Sequence, residues 1–112
     1  MPGKFELKKS ANGQFHFNLK AGNGQVILSS ETYKEKRSAE GGIASVQKNA
    51  PGDGRYERKK SSKGQDYFVL TATNGQTIGT SEMYSSAAAM EGGIESVKKN
   101  APDAELVDLT GG

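Results

Sequence analysis

Residues 40–51 read EGGIASVQKNAP, and residues 91–102 read EGGIESVKKNAP. A dodecamer that returns with both glycines and its Lys-Asn-Ala-Pro ending intact marks an internal repeat, and a repeat decides the architecture before any single element does. Around it Met90, Ile94, Val97 and Ala101 recur at helical spacing, as do Ala39, Ile43, Val46 and Ala50. Each dodecamer is therefore the body of an amphipathic helix. Pro51 and Pro102 stop the helices after Asn49 and Asn100, since the residue before a proline is pushed out of the α region. Ser85 or Ser86 can cap the second helix, and the first begins near Tyr33-Lys34 or Ser38. Two adjacent glycines inside a helix cost about 1 kcal/mol each relative to alanine. Gly42 and Gly93 fall on the apolar face, where a helix backbone lying very close to a sheet would leave no room for a methyl group. Gly41 and Gly92 lie off that face.

Working outward, Phe5 placed over Tyr56 aligns the two halves without a gap, with roughly half of the aligned positions identical. Asn23-Gly24-Gln25 matches Asn74-Gly75-Gln76, and Ser30-Glu31 with Tyr33 matches Ser81-Glu82 with Tyr84. FHFNLKA alternates: Phe15, Phe17, Leu19 and Ala21 point one way, and His16, Asn18 and Lys20 the other. DYFVLTA keeps Phe68, Leu70 and Ala72 on the first face. That is a strand with one buried side. Asn12-Gly13, Lys63-Gly64, Asn23-Gly24 and Asn74-Gly75 read as hairpin turns, so each unit opens with a three-stranded meander whose third strand carries Ile27 or Ile78. The same register sets Val107 and Leu109 against Phe5 and Leu7, so the tail is the start of a third copy, cut off after one strand.

A unit of about fifty residues buries too little apolar surface to stand alone. Two units sharing one sheet solve this. The reading is one pseudo-symmetric α+β domain spanning 1–112, with repeat 1 over 3–53 and repeat 2 over 54–112. Two tandem β3-α-β repeats form one mainly antiparallel sheet with two helices on one face and exchanged C-terminal strands. Strand GRYERKK (54–60) serves both units, and ELVDLT (105–110) crosses to the first. The core rests on Phe17, Leu19, Ile27, Ile43 and Val46, with Phe68, Leu70, Ile78, Ile94 and Val97 as their mates. A chain whose strands exchange internally can also exchange them between two copies, so monomer and strand-exchanged dimer are both expected forms.

Composition narrows the function. The chain has 112 residues, a net charge of +2 with both signs interspersed, and no cysteine, which removes a disulfide framework and a thiolate metal site. No run has signal-peptide or membrane-span length, so a soluble cytoplasmic protein is expected.

The gapless tandem unit, its NGQ turns, SE-x-Y before the helix and GI-x-SV-x-KNAP at its end resemble the YegP-like family of small bacterial proteins across nearly the whole chain. The resemblance implies a repeated β3-α-β motif in one sheet with exchanged C-terminal strands. The family's units commonly carry Asn where this chain has Gly41 and Gly92. No biochemical activity is assigned to the family, so no catalytic or binding residue carries over.

The residues themselves offer little chemistry. His16 is the only histidine, with neither Cys nor clustered carboxylates to make a metal site or a triad, and it reads as an exposed sheet residue. Glu40 and Glu91 read as solvated helix flanks and not as a catalytic dyad. The glycine turns match neither a P-loop nor a dinucleotide fingerprint. No catalytic residue, cofactor or metal is expected, and the chain is not read as an enzyme. The sheet face away from the helices is the candidate ligand face, carrying His16, Asn18, Lys20, Tyr67, Val69 and Thr71, with Arg58, Lys59 and Lys60 at its basic edge. A binding or interaction module for a protein or small-molecule partner is the first reading. Single-stranded nucleic acid on that face and on the 55–63 edge is the second, weakened by the lack of a paired aromatic platform and by Glu6, Glu57 and Asp66.

Overall fold

The computed structural model describes residues 3–111. Its strands are β1 (Lys4–Lys9), β2 (Phe15–Lys20), β3 (Val26–Ser29), β4 (Tyr56–Lys60), β5 (Asp66–Thr71), β6 (Thr77–Thr80) and β7 (Glu105–Asp108). Its helices are α1 (Lys36–Asn49) and α2 (Ala87–Asn100). The strands form one seven-stranded sheet in the order β4-β5-β6-β3-β2-β1-β7. All ladders are antiparallel except β1 with β7. The positive-φ glycines Gly13, Gly24, Gly64 and Gly75 make the four turns of the two meanders, a backbone region that side-chain-bearing residues avoid.

Alternation decides which residues meet. Phe5 pairs with Leu19 and Leu7 with Phe17, while Tyr56 pairs with Leu70. These residues join Ala39, Ile43, Val46, Met90, Ile94 and Val97 in one core under the helices, and all ten residues expected there are buried. The core belongs to neither unit: α1 packs on β5 and β6 as well as on β1 and β2, and α2 reaches β3. Burial of apolar surface is the main stabilising term, so each half completes its core with the other's chain.

A bulge between Leu19 and Lys20 in the β2–β3 register leaves Ile27 as the extra residue, and Ile27 and Leu28 are both buried. Ile27, the apolar residue this strand shares with its counterpart, is buried as expected, and Leu28, absent from the expected core, joins it. The units meet where Ser29 opposes Thr80, two positions equivalent in the repeat. Beside them the symmetry is broken: Leu28, fully buried, faces its counterpart Gly79, where a Cβ would lie 2.6 Å from Leu28 Cγ. One large and one absent side chain fill a space that two leucines could not share.

The tail crosses as expected, and Leu109 N donates to Leu7 O at 2.8 Å. Strand 54–60 differs from expectation. β4 pairs with β5 alone and forms the far edge of the sheet. It is bound to the first unit through Tyr56, whose buried hydroxyl donates to Ala50 O at 2.7 Å. Because α1 and β4 are joined only by the short segment 50–55, with a 3-10 turn at Asp53–Arg55, the exchange of the first unit's last strand is the linker itself.

Each recurring motif has a physical task. Asn49 Nδ2 and Asn100 Nδ2 donate to Ser45 O and Ser96 O, both at 2.8 Å, closing the last turn of each helix. Ser86 caps α2 by accepting from Ala89 N, whereas Glu35 precedes α1 with no side-chain cap. In SE-x-Y, Ser30 Oγ and Ser81 Oγ accept from Phe17 N and Phe68 N at 2.8 and 2.9 Å. The tyrosines stack on those same phenylalanines, Tyr33 on Phe17 and Tyr84 on Phe68, with interplanar angles of 12°. These rings are what the helix glycines admit. A Cβ on Gly42 would stand 2.5 Å from Tyr33 Oη, and one on Gly93 would stand 2.7 Å from Tyr84 Cζ. Gly41 and Gly92 have no atom within 4 Å of such a Cβ, apart from their own helix and chain neighbours.

Candidate functional site on the helix-free sheet face

Register aligns one row across all seven strands: Val107, Glu6, Asn18, Ser29, Thr80, Val69 and Glu57. By alternation this row and its neighbours lie on the face opposite the core. On either side of it Lys4 opposes Lys20, Lys8 opposes His16, and Lys59 opposes Tyr67.

Glu6 is the centre of the first half of this face. It is only 7% exposed, and three ammonium groups surround it: Lys20 Nζ at 3.1 Å, Lys4 Nζ at 3.6 Å and Lys8 Nζ at 3.6 Å. The hydrogen bond from Lys20 holds the Glu6 carboxyl below its ordinary value, burial opposes this, and the charges of Lys20, Lys8 and Lys4 add to it. One carboxylate thus orders three cations and leaves an excess of positive charge, with His16 beside them. Asn18 Nδ2 donates to Ser29 Oγ at 3.2 Å, which fixes the floor of the patch.

The second half does not reproduce this. Glu57 is exposed, Thr71 stands where the first half has Lys20, and Val69 where it has Asn18. Of the residues expected on the candidate face, His16, Asn18, Lys20, Tyr67 and Lys59 lie on it with accessible surface. Val69 and Thr71 lie on it but are 5% and 6% exposed, and Thr71 Oγ1 donates to Arg55 O, so neither is open to a ligand. Arg58 and Lys60 do not lie on it. They share the side of β4 that carries Tyr56; Arg58 makes a two-pronged ion pair with Glu91 of α2, and Lys60 Nζ stands 3.3 Å from Asp66. The basic run of β4 is therefore split between two faces, because residues adjacent on a strand point apart. Glu6, Lys4 and Lys8 are absent from the expected site, although their i, i+2, i+4 spacing in KFELKK places them on one face.

Among the described residues no group of three or more His, Cys, Asp or Glu side chains comes together to hold a metal ion, and no helix is long and apolar enough to cross a membrane.

A domain of unknown function, DUF1508, matches residues 10–57 and again 61–108. UPF0339 protein YegP of Yersinia pestis is 56% identical over 108 residues, covering 96% of each chain. UPF0339 protein PA0329 of Pseudomonas aeruginosa is 55% identical over 96% of this chain and 98% of that protein. Among solved structures, the solution NMR structure of yegP from E. coli, a protein of unknown function, matches with a TM-score of 0.93 at 54% identity. It covers 100% of this chain and 97% of that one. The two DUF1508 copies, the full-length identity and the shared fold agree, and the chain belongs to the YegP-like family of tandem DUF1508 proteins.

Proposed function

We propose that this protein is a non-catalytic, cytoplasmic binding module whose helix-free sheet face docks an acidic segment of a partner protein. The single observation that carries this reading is the Glu6 cluster: three lysines held around one buried carboxylate on an otherwise uncovered sheet face. Ordering long cationic side chains before a partner arrives lowers the entropy lost on binding, and the excess positive charge favours a partner rich in carboxylates. A single-stranded RNA reading fits less well. Among the described residues the rows of this face carry only Tyr67 and His16 as aromatic side chains, one in each half and on strands with two others between them in the sheet. Successive bases therefore have no continuous stacking platform, and the carboxylate at the centre of the cluster opposes a phosphate track.

The test is a titration of the isotopically labelled protein with a deca-glutamate peptide and, separately, with single-stranded RNA, each at low and at physiological salt. The proposal expects saturable amide shifts at Glu6, Lys8, His16 and Lys20 with the peptide, lost in Lys20→Glu. Silence with both ligands at low salt refutes it. RNA binding that exceeds peptide binding and shifts Tyr67 replaces it with the nucleic-acid reading.

A further inference from the structure

In SE-x-Y the serine and the tyrosine have structural tasks, but the glutamate does not. Glu31 and Glu82 are exposed, and among the described residues neither takes part in an ion pair. Both nevertheless line a cleft. One cleft, of about 490 Å³, is formed by Gln25, Val26 and Ile27 of the first unit with Glu82 and Tyr84 of the second. The other, of about 330 Å³, is formed by Gln76, Thr77 and Ile78 of the second unit with Glu31 and Tyr33 of the first. The two are equivalents under the repeat, residue for residue. Each takes its glutamine and isoleucine from one unit and its glutamate and tyrosine from the other, so neither cleft exists until the halves share a sheet. Glutamine, isoleucine, glutamate and tyrosine are identical in both, and only Val26 and Thr77 differ.

The lining defines a ligand chemistry. The isoleucine at the base of each cleft is nearly buried, at 6% and 8% exposure, so the open apolar surface is the tyrosine ring, joined by Val26 in one cleft and by the Thr77 methyl group in the other. The tyrosine ring is locked in place by its stack on phenylalanine and by the helix glycine behind it. A carboxylate stands at the rim, Glu82 in one cleft and Glu31 in the other; burial raises the neighbouring phenol above its ordinary value and the glutamate charge adds to it. A partly open aromatic ring beside an unpaired carboxylate suits a cation on an alkyl stem: the stem lies along the ring and against Val26 or Thr77, and the cationic N–H groups donate to the carboxylate. We propose that the two clefts are equivalent binding sites for alkylammonium or alkylguanidinium groups.

The asymmetry at 26 and 77 ranks the sites. Valine makes the larger cleft the more apolar, so it takes the longer stem with higher affinity. A free polyamine and a cationic side chain of a protein share this chemistry. Spermidine and N-acetyl-arginine amide are therefore titrated separately into the labelled full-length protein. Each is expected to give saturable shifts at residues 25–27 with 82–84, and at 76–78 with 31–33; whichever binds more tightly identifies the source. Glu82→Gln should weaken the Val26 cleft about tenfold, as the loss of a charge-assisted hydrogen bond implies, and leave the Thr77 cleft within about twofold. Glu31→Gln should do the reverse. Both glutamates are exposed, so an unchanged thermal midpoint separates lost binding from lost folding. Shifts that fail to saturate, that fall outside the two clefts, or that weaken equally everywhere in Glu82→Gln overturn the proposal.

Discussion

Changing Gly93 and Gly92 to alanine, one at a time, tests how the helices meet the sheet. The two are adjacent in one helix and share the same propensity gain, about 1 kcal/mol per substitution. They differ in what the new methyl group meets. At Gly92 it finds open space, so the full gain should appear. At Gly93 it would sit 2.7 Å from Tyr84 Cζ and 3.2 Å from Phe68 Cε2, with Tyr84 already stacked on Phe68 and unable to retreat inward. Overpacking of this kind costs about 1–3 kcal/mol, and two displaced rings put this site in the upper half of that range. The net effect is a loss of about 1–2 kcal/mol for Gly93→Ala against a gain of about 1 kcal/mol for Gly92→Ala. For a domain of 112 residues each kcal/mol moves the midpoint by about 4 °C. Circular dichroism melts should therefore separate the variants by about 8–12 °C, with wild type between them. A Tyr84→Leu background should remove most of the Gly93→Ala penalty, since the coupling lies between those two residues. Equal stabilisation by both alanines would refute the reasoning.

Further outcomes follow from the seam and from the carboxylates. Gly79→Ala should cost about 1–3 kcal/mol because its methyl group meets Leu28, and Leu28→Ala should erase that cost in the double variant while itself costing about 2–5 kcal/mol; denaturant melts of the four proteins read the coupling directly. Lys20 and its neighbours lower the Glu6 carboxyl, and the hydrogen bonds from Lys36 and Thr110 lower that of Asp108 to about 2. A depressed carboxyl stabilises the fold above its unfolded value, 4.5 for Glu6 and 3.8 for Asp108, and that contribution is lost as pH falls through the folded value. Stability should thus fall with acid from about pH 4.5 downward, and Glu6→Gln with Asp108→Asn should flatten that limb in pH-dependent melts.

Much of this fold is legible in the sequence because the elements carry clean periods and the repeat reports each one twice. Alternation in FHFNLKA puts Phe17 and Leu19 in the core, and helical spacing does the same for Ile43 and Val46. What escapes is whatever depends on a register shift or on the other unit. Leu28 is buried because a bulge turns two consecutive residues inward, and no period of two or 3.6 announces that. The glycine pair signals a close approach, but not that Tyr33 and Tyr84 fill it, since those rings arrive from the segment before the helix. Arg58 and Lys60 look like one patch with Lys59 until alternation is applied along the strand. Glu6 reads as a dilution of positive charge, whereas in the sheet it organises that charge. The two clefts join residues of opposite units and become visible only when the sheet is assembled.

The central claim is that each half completes its core, its outer sheet and its clefts with the other's chain. Residues 1–53 produced alone test it most directly, by sedimentation to fix the monomer and a denaturant melt to detect cooperative unfolding. The account predicts a monomer without a cooperative transition, which acquires one when mixed with residues 54–112. A folded monomeric fragment with its own sharp transition would contradict it.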